Sequence, residues 1–345
     1  MIQIKNIYYM LAYAFSSLKT DDFKSIETEK FNNISELLAT ILNKSVNLLI
    51  KRGFFKSYKE EEFCSSNIRG KINISKSIAR KSFLKKRVFF VSDIFTENIK
   101  LNQIIKTTLF NLVNSDITNK LKNELKNSLK YFENVDFLNL KNVRWTFKYD
   151  RNNNFYEMIM TVCELIYRNL LQTEVPGKYK TVQYIDESSL PKLYEKFVLQ
   201  FYKKEVHQVK TNASQISWNL DNDYSYMLPR MRSDITIEYK DKVLIIDTKF
   251  YVKSNQEYYS KKTYHSNNLY QIFTYVKNKQ SELNKNNIKK DVIGVLLYAQ
   301  TDVNDINNSY YYMSGNKVGV CTLNLNENFE NIKKSLFKLL KENLC

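Results

Sequence analysis

The clearest alternation of hydrophobic and polar positions lies in the C-terminal half of the chain. Two segments rich in β-branched residues, 235–237 and 243–246, are separated by a short charged turn, and this pattern predicts a hairpin. The second segment is an uninterrupted apolar run, as expected of a strand that is buried on both faces. Asp234 opens the first strand, and Asp247 and Lys249 end the second. Because side chains alternate along a strand, we expect Asp247 and Lys249 to share one face.

Helical periodicity dominates much of the remaining sequence. Apolar residues follow Asn6 at helical spacing, so Asn6 is a candidate N-cap for a first helix. Residues 1 to about 60 are predicted to be helical, and residues 67–74 to be extended. Further helices are predicted over residues 98–132, 156–171, 190–204, 267–279 and 328–344, and strands near residues 206–218 and over 292–299. The sequence therefore predicts an α/β (α+β) fold that mixes helices and sheets.

The turn-forming segment Val175-Pro-Gly-Lys178 is the best boundary signal in the chain. It divides the 345 residues into a predicted N-terminal domain, 1–175, and a predicted C-terminal domain, 176–345. The four cysteines are scattered without a Cys-x-x-Cys motif, so we expect a reducing cytoplasm rather than disulfides or a zinc site. No stretch approaches the roughly 20 apolar residues of a membrane span. No Gly-x-x-x-x-Gly-Lys-Ser/Thr motif is present, so we do not expect this chain to hydrolyse nucleotides by itself.

A formal net charge of +17 favours a polyanionic partner such as nucleic acid. Lys and Asn are abundant throughout, as in proteins from AT-rich genomes, so compositional drift also explains part of the excess. Basic side chains are crowded between residues 63 and 91, and they include Arg69, Lys71, Arg80, Lys85, Lys86 and Arg87. This stretch is either a solvated surface or a contact for phosphate or an acidic partner, and the sequence leaves both interpretations open.

The triplet Asp247-Thr-Lys249 is not specific by itself. Other acid-x-Lys triplets in the chain are Asp22-Phe-Lys24, Glu124-Leu-Lys126 and Glu238-Tyr-Lys240. Three features distinguish Asp247-Thr-Lys249 from these other triplets. Asp234 lies 13 positions upstream, and the strand between the two aspartates is apolar. Gln271 and Tyr275 lie four positions apart on the next predicted helix. Two carboxylates and an ammonium at a buried strand end also cost free energy unless they bind something.

These residues together resemble the PD-(D/E)xK nuclease fold, whose RecB-like branch carries a downstream Gln-x-x-x-Tyr. The resemblance implies a catalytic centre in which Gln271 and Tyr275 position the site or the DNA backbone. It also implies that Glu195, on the predicted helix 190–204, can approach a metal ion. A solvent-facing glutamate explains Glu195 equally well.

Phosphodiester hydrolysis needs an activated water and a phosphate whose growing charge is neutralised. Asp234, Asp247 and the backbone carbonyl of Thr248 would form an all-oxygen set suited to Mg²⁺ or Mn²⁺. A bound cation acidifies water and contacts the phosphate. Lys249 would orient the attacking water or stabilise the developing charge.

Over nearly its whole length the chain also resembles the McrC family, the nuclease subunits of the 5-methylcytosine-specific McrBC restriction systems. The matching segments, in order, are Ile4-Lys-Asn-Ile-Tyr-Tyr-Met-Leu-Ala-Tyr13, Ile68-Arg-Gly-Lys-Ile72, Met231-Arg-Ser-Asp234, Ile246-Asp-Thr-Lys-Phe-Tyr251 and Leu269-Tyr-Gln-Ile-Phe-Thr-Tyr275. The resemblance implies an N-terminal domain that docks on a McrB-like AAA+ GTPase hexamer, which binds the GTP. It also implies a C-terminal PD-(D/E)xK endonuclease domain that cuts double-stranded DNA. Ser233 replaces the nominal Pro before Asp234, which leaves the carboxylate unchanged.

Two alternatives stay open at the level of sequence. One is an autonomous RecB-like DNA nuclease, which the N-terminal resemblance disfavours. The other is a non-catalytic assembly or GTPase-stimulating subunit, which the intact Asp234, Asp247 and Lys249 set disfavours.

Overall fold

A computed structural model of the protein describes the following residues: 2–19, 23, 26, 31, 33–171, 174–175, 178–179, 190–221, 226–250, 255–258, 261–300 and 308–344. They form two compact units. The first unit is discontinuous and combines Met1–Leu37 with Gln183–Cys345, and the second unit is Leu38–Val182. Within the described ranges, no helix is both long and apolar enough to cross a membrane.

Helices and strands alternate irregularly along the chain. The helices are α1 (Ile4–Ala14), α2 (Ile34–Arg52), α3 (Ile74–Ala79), α4 (Lys100–Val113), α5 (Asn119–Leu129), α6 (Asn154–Leu171), α7 (Pro191–Glu205), α8 (Ser266–Lys285) and α9 (Phe329–Leu344). The strands are β1 (Ser57–Ser65), β2 (Lys71–Ile72), β3 (Val88–Thr96), β4 (Glu174–Val175), β5 (Lys178–Tyr179), β6 (Lys210–Asn212), β7 (Gln215–Ile216), β8 (Met231–Arg232), β9 (Ile235–Tyr239), β10 (Lys242–Phe250), β11 (Asn255–Tyr258), β12 (Lys261–Tyr264), β13 (Asp291–Gln300), β14 (Ser309–Met313) and β15 (Asn316–Asn324). The mixture confirms the α/β fold class.

A mixed sheet with the strand order β14-β15-β13-β10-β9-β6 forms the centre of the first unit. Strands β10, β13 and β15 run parallel to one another, and β9 pairs antiparallel with β10 in the predicted hairpin. The apolar run 243–246 in β10 is fully buried, as predicted. The sheet therefore holds the end of β10 in its interior.

Helices cover both faces of this sheet. Ile272 and Val276 of α8 share one core cluster with Val243 and Ile245, the odd-numbered positions of β10. Phe250, an even-numbered position, packs its ring against Tyr194 of α7. Since odd and even positions point to opposite faces, α8 lies on the face to which Asp247 and Lys249 also belong.

Gly294 in β13 allows α8 to approach the sheet closely. A Cβ atom at this position would lie 2.5 Å from Val276 Cγ2 and 2.8 Å from Ile272 Cγ1, both on α8. A larger residue would push the helix outward. Gly294 thereby fixes the distance of α8, and of the side chains it carries, from the strands.

Helix α1 packs within the first unit, although it begins the chain. The Asn6 side-chain amide donates to the carbonyl oxygens of Leu325 (2.8 Å) and Glu327 (2.7 Å), and the Tyr13 hydroxyl donates to Glu205 Oε1 (2.6 Å). Asn6 is therefore not the N-cap that the sequence predicts, because its side chain satisfies distant carbonyls and Gln3 holds the cap position. These bonds explain why Met1–Leu37 belongs to the unit that contains the sheet.

The second unit combines a small sheet with packed helices. Strand β3 pairs antiparallel with β1 and with β2. Buried apolar residues of α4, α5 and α6 form a helical core, and they include Ile105, Leu109, Leu125, Val162 and Ile166.

Several sequence expectations differ from the structure. The predicted contiguous domains 1–175 and 176–345 are replaced by the discontinuous division given above, and Pro176-Gly177 of the boundary signal lies outside the described residues. The predicted helical region up to about residue 60 was wrong at its end, where β1 begins. The predicted helix 98–132 is broken into α4 and α5, because Ser115 Oγ donates to Leu112 O and closes the end of α4. Within 67–74 only β2 is a strand, since Asn73 caps α3 by accepting from Lys76 N.

Candidate active site

The hairpin register places Asp234 beside the end of β10. The last paired residues are Ile246 and Ile235, so Asp234 lies one position beyond them, next to Asp247. The backbone N–H and the hydroxyl of Thr248 both donate to Asp234 Oδ2 at 2.7 Å. These two bonds fix the Asp234 carboxylate against the strand. Thr248, predicted to offer its carbonyl to a metal, also orients one of the predicted ligands.

Asp247 is a charged group in an almost fully buried position, with a side chain that is 2% exposed. Burial, which Lys249 opposes and Asp234 reinforces, raises the pKa of its carboxyl to about 6. Lys249 Nζ lies 2.5 Å from Asp247 Oδ2. Among the described residues, this ion pair with Lys249 is the side-chain contact that the structure shows for the buried Oδ2 atom.

Lys249 is held by a chain of hydrogen bonds that runs along α8. Its Nζ donates to Gln271 Oε1 (3.0 Å), and Gln271 Nε2 donates to the Tyr275 hydroxyl (2.9 Å). Gln271 and Tyr275 are one helical turn apart, so both face the sheet. The structure thus brings Gln271 and Tyr275 to the Asp247–Lys249 strand end, as their spacing predicts.

Glu195, on α7, belongs electrostatically to the same site. The pKa of its carboxyl is raised to about 7, by burial first and also by Asp234 and Asp247, against the opposing charges of Arg232 and Lys249. A solvent-facing glutamate would show none of these effects. Arg232, which the sequence analysis did not single out, is thereby placed near the site, although it is itself exposed.

The arrangement has the character of a cation site. Mutual repulsion and burial keep the pKa values of Asp247 and Glu195 high, and a divalent cation would relieve both effects. The buried Asp247 carboxylate, next to the Asp234 carboxylate, supplies the oxygen donors that a hard cation such as Mg²⁺ or Mn²⁺ prefers. Within the described ranges, no three His, Cys, Asp or Glu side chains are close enough to form a metal-binding group by themselves. Backbone oxygens and water would therefore have to complete the coordination shell.

The predicted basic residues lie in the second unit. All six side chains of this basic surface are exposed, namely Arg69, Lys71, Arg80, Lys85, Lys86 and Arg87. They lie just before and within β2, directly after α3, and in the residues before β3. They belong to the second compact unit, whereas Asp234 and Asp247 belong to the first.

Exposed apolar side chains accompany the basic surface, and the sequence analysis missed them. Phe83 is 49% exposed and Leu84 is 83% exposed, and both lie on the 3₁₀ turn Ser82–Lys85. Lys81 and Lys86, which flank this turn, adopt left-handed backbone conformations with φ of 49° and 53°. The run Lys-Ser-Phe-Leu-Lys-Lys could have indicated this exposure, because two apolar residues in a short basic loop have no core to enter.

Comparisons with known proteins identify a family to which the sequence is similar. The model of the McrBC 5-methylcytosine restriction system component family matches residues 3–299. The chain is 28% identical over 350 residues to the type IV methyl-directed restriction enzyme EcoKMcrBC of Escherichia coli strain K12, and this alignment covers 100% of the chain and 99% of the relative.

Two solved structures are also similar to the chain. One is a refined half-complex from a tetradecameric assembly of Thermococcus gammatolerans McrB AAA+ hexamers with bound McrC, with a TM-score of 0.45, 15% identity and coverage of 97% of this chain and 76% of that chain. The other is a cryo-EM structure of the Thermococcus gammatolerans McrBC complex, with a TM-score of 0.41, 16% identity and coverage of 59% and 58%. Because the family model spans most of the sequence, the chain belongs to the McrBC 5-methylcytosine restriction system component family.

Proposed function

We propose that this chain is the DNA-cutting subunit of a GTP-dependent restriction complex directed at methylated DNA. The observation that carries the proposal is the end of β10, where the buried Asp247 carboxylate lies beside Asp234 and Lys249. Such a cluster is costly for folding alone, and it has the composition of a PD-(D/E)xK nuclease centre. Membership in a restriction family supports this interpretation.

Asp234 and Asp247, together with the backbone carbonyl of Thr248, would hold Mg²⁺ or Mn²⁺. When bound, such a cation lowers the pKa of a coordinated water and neutralises charge on the phosphate. Glu195, with its pKa of about 7, would accept a proton from the attacking water, or would join the ligands after its side chain moves toward the cation.

Lys249 would act on the phosphate or the water. An ammonium has three N–H donors, of which Gln271 accepts one and Asp247 faces another. The remaining donor can contact a phosphate oxygen as its charge grows. Gln271 and Tyr275 are positioning residues, since they determine where the ammonium points.

The proposed reaction is hydrolysis of one phosphodiester bond in each DNA strand. The water oxygen forms a bond to phosphorus, and the bond from phosphorus to one sugar oxygen breaks. The water proton passes to a carboxylate or to solvent, and the departing sugar oxygen takes up a proton from water. The products are a phosphate monoester end and a hydroxyl end.

We propose that the partner is a McrB-like AAA+ GTPase hexamer, in the cytoplasm. The family is a component of the McrBC system, and this chain has no P-loop motif that would bind GTP. The partner contact is proposed for the basic surface, with Phe83 and Leu84 at its centre. An apolar centre with a basic rim suits an acidic protein surface.

Co-expression with a McrB-like AAA+ GTPase from the same organism tests the proposed function. With GTP, Mg²⁺ and methylated plasmid, we expect double-strand cleavage by the complex and little specific cleavage by either protein alone. Specific cutting by this chain with metal alone would instead identify an autonomous nuclease. GTPase stimulation without any cleavage by the complete complex would identify a non-catalytic subunit.

The partner contact has its own test in the full chain. The triple variant Lys85→Glu/Lys86→Glu/Arg87→Glu should reduce stimulation of the partner's GTPase severalfold. The matched control reverses exposed lysines of the same unit, in the variant Lys120→Glu/Lys126→Glu/Lys130→Glu. Equal effects of the two triple variants would contradict a specific contact at the basic surface.

A further inference from the structure

The strand segment that carries Asp234 contains one residue more than the segment opposite it. Two antiparallel pairs bracket this place, Gln215 with Arg232 in β7 and β8, and Asn212 with Thr236 in β6 and β9. Two residues separate the pairs on the first strand, whereas three separate them on the second, with Asp234 in the middle. An extra residue on one strand of an antiparallel pair defines a β-bulge, which bends the strand and redirects a side chain.

The buried Ser233 side chain closes this bulge. The Ser233 N–H donates to Ser214 O (3.0 Å), and Ser214 N donates to Ser233 Oγ (3.2 Å). Ser233 Oγ also lies 2.7 Å from the Thr236 hydroxyl oxygen, and Ser233 and Thr236 are each 1% exposed. A bulge interrupts the backbone hydrogen bonds of the strand pair. At this bulge, a serine hydroxyl replaces a backbone carbonyl as the acceptor for Ser214 N.

Asp234 is therefore held through both its backbone and its carboxylate. The hydrogen bonds of Ser233 fix the backbone immediately before Asp234, and the N–H and hydroxyl of Thr248 hold Asp234 Oδ2 at 2.7 Å. Mg²⁺ requires its oxygen ligands at about 2.0–2.1 Å in nearly ideal geometry. A small backbone shift at the bulge would therefore weaken a cation that the Asp234 carboxylate shares with Asp247.

The hydrogen bonds determine which residue suits position 233. Alanine would keep the N–H that donates to Ser214 O, but it would leave Ser214 N without its acceptor. Proline, the nominal residue of the PD-(D/E)xK signature, would remove the N–H as well. Serine thus stabilises the bulge through hydrogen bonds that proline cannot form.

We propose that Ser233 is a positioning residue of the candidate nuclease centre, which places the Asp234 carboxylate for a cation shared with Asp247. The inference rests on the proposed nuclease function. Ser233 acts through Asp234 and not on the reacting atoms, because its hydroxyl is buried against Ser214 and Thr236.

Binding of Mn²⁺ by the purified full chain at pH 8, followed by calorimetry, tests the proposal. Ser233→Ala should weaken binding about tenfold, because residues that orient a metal ligand contribute this much to affinity. Ser233→Pro should weaken it further. The matched control is Ser214→Ala, which removes a neighbouring hydroxyl that donates to Asn212 Oδ1 and leaves the backbone groups of Ser214 in place. It should bind Mn²⁺ as the unmodified chain does.

A second control separates positioning from a general loss of stability. Ser77 in α3 is 0% exposed, and its hydroxyl donates to Asn73 O (2.8 Å) and accepts from Phe89 N (2.8 Å). Ser77→Ala therefore removes an equally buried hydroxyl and should lower the free energy of unfolding by a similar amount in urea denaturation. It should leave Mn²⁺ binding unchanged.

A milder variant keeps the proposal testable if Ser233→Ala does not fold. Thr236→Val preserves the shape of the side chain and removes the hydroxyl next to Ser233 Oγ, whereas the bonds between Ser233 and Ser214 remain. Mn²⁺ binding should weaken severalfold, less than in Ser233→Ala.

Cleavage by the complete complex gives a kinetic readout. In Ser233→Ala, the Mg²⁺ concentration at half-maximal rate should rise about tenfold, while the KM for DNA stays unchanged. Saturating Mg²⁺ should restore most of the rate, because the ligand is displaced and not lost.

The outcomes distinguish the proposal from the function on which it rests. Unchanged Mn²⁺ affinity and unchanged Mg²⁺ dependence in Ser233→Ala would overturn the positioning role. Equal losses of affinity in Ser233→Ala and in either control would also overturn it. If the unmodified chain binds no Mn²⁺ and its complete complex does not cut, the proposed nuclease function fails. If the unmodified complex cuts and Ser233→Ala behaves identically, only the role of Ser233 fails.

Discussion

The two ends of the β9–β10 hairpin carry the same kinds of residues in very different surroundings. At the turn, Glu238-Tyr-Lys240 is accessible to water, and Glu238 forms a 3.3 Å ion pair with Lys290 in which both side chains are more than 20% exposed. At the opposite end, Asp247-Thr-Lys249 is an ion pair with side chains that are 2% and 15% exposed. Water screens the first pair, so it contributes little to stability. The second pair is shielded from water, so the free-energy cost of burying its charges remains. A bound cation and a phosphate can offset that cost.

Burial, rather than sequence pattern, therefore distinguishes the proposed catalytic acid-x-Lys triplet from an ordinary one. Glu124-Leu-Lys126 is another ordinary triplet, since it lies on the exposed surface of α5. Glu124 there accepts a hydrogen bond from Asn43. The fourth triplet, at Asp22 and Lys24, lies outside the described residues. Substitutions at matched positions of the two hairpin ends test whether this difference in burial matters.

The largest difference is expected in DNA cleavage by the complete complex. Asp247→Asn should lower the rate by at least about a thousandfold, because a lost metal ligand removes several kcal/mol of transition-state stabilisation. Asp234→Asn and Lys249→Ala should have effects of similar size. Glu238→Gln, the matched change at the turn, should leave the rate within about twofold. Single-turnover cleavage rates measure all four, and a comparable loss in Glu238→Gln would remove the distinction between the two ends.

The second difference is expected in the pH dependence of stability without metal. Folding raises the pKa of Asp247 from its ordinary 3.8 to about 6. Its favourable contribution is therefore fully present below about pH 4 and is lost as the pH rises through about 6, which corresponds to about 2–3 kcal/mol. Asp247→Asn should lack this loss. Urea denaturation in EDTA between pH 4 and pH 8 measures the difference, and parallel curves for the two proteins would contradict the buried charge.

A smaller effect is expected from the residues that hold Lys249. Gln271→Ala removes the acceptor of the Lys249 hydrogen bond and should lower kcat about tenfold with little change in KM, since the ammonium is misplaced rather than lost. Tyr275→Phe removes only the hydroxyl that orients Gln271 and should have a weaker effect. Lys285→Ala, at an exposed position of the same helix, is the control. Equal kcat values for Gln271→Ala and Lys285→Ala would exclude the positioning role.

Much of the candidate site could be predicted from sequence because its geometry is local. The separation of Asp234 and Asp247 follows from the hairpin register, and that of Gln271 and Tyr275 follows from the helical turn. Glu195 was undecided in sequence, because only the packing of α7 brings it near the carboxylates. Arg232 was missed for the same reason.

The domain division could not be predicted, since it depends on contacts between distant residues. Asn6 is bonded to Leu325 and Glu327, more than 300 positions away, and no local pattern announces such a bond. A polar residue before an apolar stripe reads as a helix cap, whereas Asn6 is a buried donor inside α1. The exposure of Phe83 and Leu84 could not be predicted for a similar reason. Without knowledge of the fold, an apolar residue is expected to enter a core.

Binding of Mn²⁺ by the purified chain at pH 8, followed by calorimetry, tests most directly whether the end of β10 is a metal centre. The account predicts saturable binding by the unmodified chain and by Glu238→Gln, and its loss in Asp234→Asn/Asp247→Asn. Equal binding by the double variant, or the absence of binding by the unmodified chain, would contradict it.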